Sequence, residues 1–206
     1  MSNMIRVYNG VPVPYSEKQF RLDILPSRAP SGYLPDDFLE RYNVFRVKHM
    51  PPPLHDETKI PVENELPELI DGVWTKTWSL MDKSREDINE LINEERDKRV
   101  LTGFTWNGKQ FQSDAASISN MNAAALSALM FLYSGGDPDS TNWDFNNDFV
   151  WLTASNEKII LSAKDMIELN DTARLHIKNH VFCARILKDS ENLVKNYKED
   201  SNWPEK

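Results

Sequence analysis

Cysteine is almost absent: Cys183 is the single one in 206 residues. An internal disulfide is therefore excluded, and a secreted, cross-linked scaffold loses its usual support. No stretch approaches about 18 consecutive apolar residues, so no membrane span is expected. The opening residues, MSNMIRVYNG, lack the apolar core of a signal peptide. Positive charge is in deficit, with 24 Lys and Arg against 32 Asp and Glu and a net charge of −8. A sequence-independent grip on nucleic acid or on an anionic membrane needs a basic patch, which this balance disfavours. The phosphate-cradling patterns Gly-x-Gly-x-x-Gly and Gly-x-x-x-x-Gly-Lys-Ser/Thr do not occur, and neither does the Gly-x-Ser-x-Gly nucleophile elbow. No internal repeat has a solenoid period. These absences fit a chain made and used in a cytoplasm.

What is present is ordinary apolar content and six tryptophans, enough for one good core or two small ones. Prolines divide the chain, with ten of the twelve before residue 81. Proline lacks an amide donor and clashes with the preceding helical turn, so residues 1–80 are expected to hold short extended pieces and no long helix. Ile5 to Tyr8 before Asn9-Gly10 reads as a strand and turn, with Val11 to Tyr15 pairing back. Asp36 to Tyr42 suits one or two helical turns, Asn43 to Val47 a strand, and Pro51-Pro52-Pro53 a polyproline II segment. Val73 to Leu80 has strand-forming composition, and a single alternating strand there would put Trp74 and Trp78 on one face.

The second half is more regular. Ser84-Arg85-Glu86-Asp87 resembles a capping box and leads into a stripe of Ile88, Leu91 and Ile92. Asn93 to Arg99 is nearly all polar, so that part of the helix must face solvent or a charged neighbour. Asn107-Gly108 supplies the two positive-φ residues of a type I′ turn, pairing Trp106 with Lys109, Thr105 with Gln110 and Phe104 with Phe111. That register puts Phe104, Trp106 and Phe111 on one face, expected to meet the next helix at Ile118 and Met121. Ile118, Met121, Ala125, Leu129 and Leu132 form that helix's stripe, which Gly135-Gly136-Asp137-Pro138 ends. Phe149 to Ala154 and Lys158 to Leu161 read as a second hairpin. Ser162 and Asp165 resemble another capping box, opening a helix with Met166, Leu169, Ala173, Ile177, Val181, Ala184 and Leu187 on one face. This helix is expected to run to about residue 198, on the order of 50 Å. Two hairpins in one domain most economically share one antiparallel sheet.

The expected class is α+β. An irregular, β-rich, proline-rich attachment region spans 1–80. A helix-hairpin-helix-hairpin-long helix domain with a small antiparallel sheet spans 81–198, and a polar tail spans 199–206.

His176, His180 and Cys183 have the spacing to share a helical face, yet no second cysteine pair or glutamate base accompanies them; no metal is expected there. Asp137, Asp139, Asp144, Asn146, Asn147 and Asp148 make an acidic loop without EF-hand spacing, which reads as solvated. No catalytic residue and no cofactor is expected. Partner-binding candidates are the apolar residues of the N-terminal arm, above all Ile5, Val7, Tyr8, Val11, Val13, Phe20 and Leu22, followed by Ile24 and Leu25. The arm has too many prolines to be expected to pack by itself, and strand addition to a partner's sheet edge would cover these side chains. Trp203 joins them, because the surrounding tail is too polar to build a core of its own.

Several motifs occur in a recognisable order: Glu95-Arg96-Asp97-Lys98-Arg99, Gly103, the Phe104 to Asp114 hairpin, Trp151-Leu152-Thr153-Ala154, and Ala184-Arg185-Ile186-Leu187-Lys188-Asp189. Asp71-Gly72-Val73-Trp74 precedes them, with Trp78 nearby. Over roughly residues 60 to 190, this series resembles the phage tail and tail-fibre-associated proteins, many of which carry a C-terminal domain of unassigned activity. The resemblance carries over no catalytic residue. It implies a non-enzymatic structural component of a virion tail or baseplate, involved in tail-fibre attachment and assembled in the host bacterial cytoplasm. Its partners would be other tail or fibre proteins and further copies of itself, with no nucleic acid and no membrane span. The alternatives are a fibre-assembly chaperone not retained in the virion, a small phage hydrolase, and a host-receptor binder. A cleft with a strongly shifted carboxylate or histidine would mark the hydrolase. Exposed aromatics lining a groove for sugars would mark the receptor binder.

Overall fold

The computed structural model describes residues 3–24, 30, 32–145, 147–191 and 196–204. The chain is α+β and divides into two compact units, Met1–Lys83 and Ser84–Lys206. Leu25 and Asn146 lie outside the described residues.

In the first unit, β1 (Met4–Tyr8) and β2 (Val11–Tyr15) form an antiparallel hairpin. Asn9 at φ 49° and Gly10 at φ 81° supply its turn. β3 (Val44–Arg46) pairs antiparallel with the other side of β1, giving the order β2-β1-β3. Between β2 and β3 lie two short helices. α1 (Glu17–Asp23) is capped by the Ser16 hydroxyl, which accepts from the Gln19 amide; α2 (Asp36–Glu40) follows. Met4, Phe20, Ile24, Leu34, Leu39 and Val44 make the buried core, and Tyr15, Phe38 and Tyr42 present their rings around Phe20. The arm thus packs on its own chain, against α2 and β3, where its prolines led to the expectation of packing on a partner. Of the arm's described prolines, Pro12 and Pro14 lie on the outer strand, where no ladder donor is lost, and Pro30 and Pro35 lie outside the strands.

Five more strands complete this unit. β4 (Lys48–His49) runs parallel to β7 (Val73–Lys76), which pairs antiparallel with β6 (Glu68–Ile70) through an Asp71-Gly72 turn. β5 (Lys59–Glu63) pairs antiparallel with β8 (Trp78–Asp82). The expected single strand from Val73 to Leu80 is therefore broken at Thr77. Its two halves join different sheets because Thr77 turns its carbonyl and hydroxyl to Asn64, at 2.9 and 2.7 Å.

The second unit opens with α3 (Arg85–Val100), then β9 (Phe104–Trp106), β10 (Lys109–Phe111) and α4 (Ala115–Tyr133). β11 (Val150–Leu152), β12 (Lys158–Ile160) and α5 (Ala163–Asp189) follow. Both capping boxes form, at Ser84–Asp87 and Ser162–Asp165, each satisfying two amide donors at a helix start. The first hairpin has the expected register, and Phe104 and Phe111 are buried with Met121 in one core. The hairpins do not merge into one sheet: each remains two-stranded. They adjoin through the Ala154 amide, which donates to the Gln110 carbonyl at 2.8 Å, and a 2.6 Å ion pair between Lys109 and Glu157.

α5 ends at Asp189, short of the expected residue 198, and so spans about 40 Å at 1.5 Å per residue. Its first half buries Met166, Leu169 and Ala173 in the core with the hairpins and α4. Its second half buries Ala184 and Leu187 with Ile88 and Ile92 of α3. Val181, expected on the inner stripe, is exposed; His180 takes the inward position one residue earlier.

Candidate interaction surfaces

The C-terminal tail folds back on its own unit. Trp203 is 6% exposed and shares a core with Ile88, Ile92, Ala184, Leu187 and Tyr197. Its indole N–H donates to the Tyr197 carbonyl at 2.6 Å, and its ring stacks 6.2 Å from His180 and 5.2 Å from the Arg99 guanidinium. Arg99 also donates to Glu95 at 2.7 Å and to the Lys198 carbonyl at 2.8 Å, and it pairs with Asp200 at 2.8 Å. The polar end of α3 is therefore laid against the chain's own tail. Trp203 is corrected from a partner-binding residue to a core residue: flanking polarity conceals that one indole and one tyrosine suffice to dock a short segment.

Other motif residues serve the same junction. Arg85 donates to the carbonyls of Lys188, Ser190 and Glu191, satisfying acceptors left open where α5 ends. Lys188 reaches the Asn93 side chain at 2.8 Å, and Arg185 pairs with Asp189 at 2.6 Å. His176 donates from Nε2 to the Val100 carbonyl at 3.1 Å, and the Ser113 hydroxyl donates to that same oxygen. His180 donates from Nδ1 to the His176 carbonyl at 2.8 Å. Among the described residues, no group of three His, Cys, Asp or Glu side chains converges as metal ligands would.

Burial holds the His176 pKa below its ordinary value, opposed by the Val100 hydrogen bond and helped by the neighbouring His180. Desolvation and the Asp23 carboxylate push the Tyr15 hydroxyl up to about 12. Hydrogen bonds from Tyr15 and Gln19 hold Asp23 below the usual carboxylate range, and those from Ser117 do the same for Asp114. None of these four groups lines any of three cavities, although Asp114 holds Ser117 at the edge of the third. One, of about 290 Å³, lies between Glu40, Phe45, Arg46 and Trp74. Another, of about 220 Å³, is lined by Met4, Ile5, His49 and Glu63. A third, of about 280 Å³, brings Trp151 beside Gln112, Ser117 and Asn120.

The arm candidates separate into two groups. Ile5 and Phe20 are buried within the first unit, as is Ile24, so these side chains are already covered. Val7 is half-buried, while Tyr8, Val11, Val13 and Leu22 are exposed. Tyr8 lies opposite Val11, and Arg6 opposite Val13, on the same hairpin face as buried Met4 and its partner Tyr15. The hairpin tip thus extends past its core and carries an apolar surface outward. Strand addition at β2 is blocked. The Val7 amide points to the Asn43 carbonyl at 2.8 Å, so alternation turns the Val7 and Ile5 backbone groups away from β2. Their partners Pro12 and Pro14 therefore face outward, where proline has no amide to offer a new strand. β1 itself is paired on both sides.

α4 carries a second exposed apolar surface. Met121, Ala125 and Ala128 are buried, but Leu126 is 60% exposed, Met130 64% and Tyr133 96%. Leu129, expected on the inner stripe, is also exposed; Ala128 lies inward instead. By length and composition α4 is apolar enough to cross a membrane, although Ser and Asn interrupt its apolar residues. It nevertheless packs one side into the core that α5 shares, as a helix of a folded unit does.

Residues 72–199 match the model of a domain of unknown function, DUF4376. The chain belongs to this family. No curated protein and no solved structure matches it. The DUF4376 segment begins at the turn between β6 and β7 and takes in both hairpins, α3, α4 and α5, together with Arg99 and its tail partner Lys198. Trp203 lies just beyond it.

Proposed function

We propose that this chain is a non-enzymatic bacteriophage tail protein, a structural component of the tail or baseplate that takes part in attaching a tail fibre. The observation that carries this reading is apolar side chains held outward on ordered elements of both units: Tyr8, Val11 and Val13 on the hairpin, and Leu126, Met130 and Tyr133 on α4. Contiguous apolar surface of this kind marks sites where another macromolecule docks. The ordered series of motifs from Asp71 to Asp189 supports the tail assignment through its resemblance to tail-associated proteins. In this reading the first unit docks through its hairpin tip by side-chain contact, because Pro12 and Pro14 close the β2 edge to strand addition.

The test is reconstitution of particles that lack this protein, followed by counting attached fibres in electron micrographs. Wild-type protein should restore fibres. Val11→Glu/Val13→Glu protein, folded by circular dichroism, should not. Full fibre attachment by the double variant would remove the hairpin tip from the attachment surface, and fibres attached without any of this protein would sink the role itself.

A further inference from the structure

We propose that the outer seam of α4 is covered by the same seam of a second copy, the two helices packing antiparallel about a two-fold axis. The seam consists of Ala116, Ser119, Ala123, Leu126, Met130 and Tyr133, all exposed. Their spacing of three, four, three, four and three is that of a helix that packs along its length against another helix. The opposite side of α4 shows the same spacing where it meets the core, so this helix is built to be packed on two sides, and the structure fills one.

Two observations choose a second copy as the occupant. The first is charge. From Ala115 to Gly136 the chain carries no charged side chain, its longest such run, in a protein of net charge −8. Two copies meeting along α4 would bring no carboxylates together. The second is size. The first half of the seam is small (Ala116, Ser119, Ala123) and the second half is large (Leu126, Met130, Tyr133). An antiparallel two-fold sets Ala116 against Tyr133, Ser119 against Met130 and Ala123 against Leu126, so that each large side chain meets a small one. A parallel pair would crowd the large halves and leave a gap between the small ones. The antiparallel arrangement also opposes the two helix dipoles and is self-complementary, as a two-fold interface must be. One seam of about 27 Å makes a small interface, so the dimer is expected to be reversible.

The inference deepens the binding role proposed above by naming one partner, and it is tested on the purified full-length chain alone. Its failure therefore leaves fibre attachment standing, and failure of attachment leaves the dimer standing. Sedimentation velocity over a concentration series should show a monomer–dimer equilibrium. Leu126→Glu and Met130→Glu, both at exposed positions, should each weaken dimerisation more than about tenfold with an unchanged circular dichroism spectrum. Mixing equal amounts of Ser119→Cys and Met130→Cys protein under oxidation should give the mixed disulfide dimer well beyond the roughly twofold excess over each self-linked dimer that random pairing produces. A wild-type chain that stays monomeric, a dimer indifferent to both glutamates, or a mixed dimer at or below that random excess would overturn the proposal. So would a seam that binds neutral lipid vesicles in preference to itself.

Discussion

At the scale of the residue, Trp203 shows how much a single side chain does for the end of this chain. It fills the space between α3 and α5, donates its N–H to Tyr197 and lies under the Arg99 guanidinium. Truncating a buried tryptophan costs both its transfer free energy and the cavity left behind. Trp203→Ala is therefore expected to destabilise the second unit by about 3 kcal/mol, read as a lower urea midpoint by circular dichroism. Asp200→Ala, which removes only a largely exposed partner of Arg99, should leave the midpoint almost unmoved. Equal effects from the two variants would mean that the ion pair, and not the indole, fastens the tail. This residue was not legible in the sequence as core. Reading Glu199 to Glu205 gives a polar segment, and nothing local says that Arg99, roughly a hundred positions earlier, faces it.

At the scale of the element, turns and caps were the most legible features and stripes were less so. Asn9-Gly10 and Asn107-Gly108 supply a positive φ that few residues adopt, and each capping box needs a serine hydroxyl with a carboxylate three residues on, so short motifs suffice to specify them. The stripes of α4 and α5 were misplaced at Leu129 and Val181 because apolar residues occur on both sides of these helices. The break at Thr77 was invisible because it depends on Asn64, just past the end of β5. Gly103 and Gly108 both have positive φ, but a Cβ on Gly108 would meet open space, whereas one on Gly103 would strike the Phe111 carbonyl oxygen. Gly108→Ala should thus cost about 1 kcal/mol for the left-handed backbone alone. Gly103→Ala adds a backbone collision and should cost more. Thermal denaturation of the two variants ranks them, and a Gly108→Ala chain melting below Gly103→Ala would contradict this account of the hairpin.

At the scale of the whole molecule, the chain is two units with separate cores, and both expose apolar side chains on ordered elements. The α+β class was legible from proline placement and helical periodicity. That the arm would form its own core was not, because Phe20, Leu34, Leu39 and Val44 are brought together only when β3 pairs with β1 across a long stretch of sequence. The exposure of the proposed partner-binding residues was legible in part. Tyr8, Val11, Val13 and Leu22 remain outward, while Ile5, Phe20 and Trp203 are consumed by the fold. The α4 seam was missed because its small and polar residues dilute the apolar signal. The proposal that these surfaces belong to a permanent tail component is tested most directly by quantitative mass spectrometry of virions purified from a phage carrying this gene. The account predicts full-length protein at a fixed whole-number ratio to the tail proteins, retained through density-gradient purification. Protein abundant in the infected-cell lysate, bound to fibre subunits yet absent from the purified particles, would contradict it and make the chain an assembly chaperone.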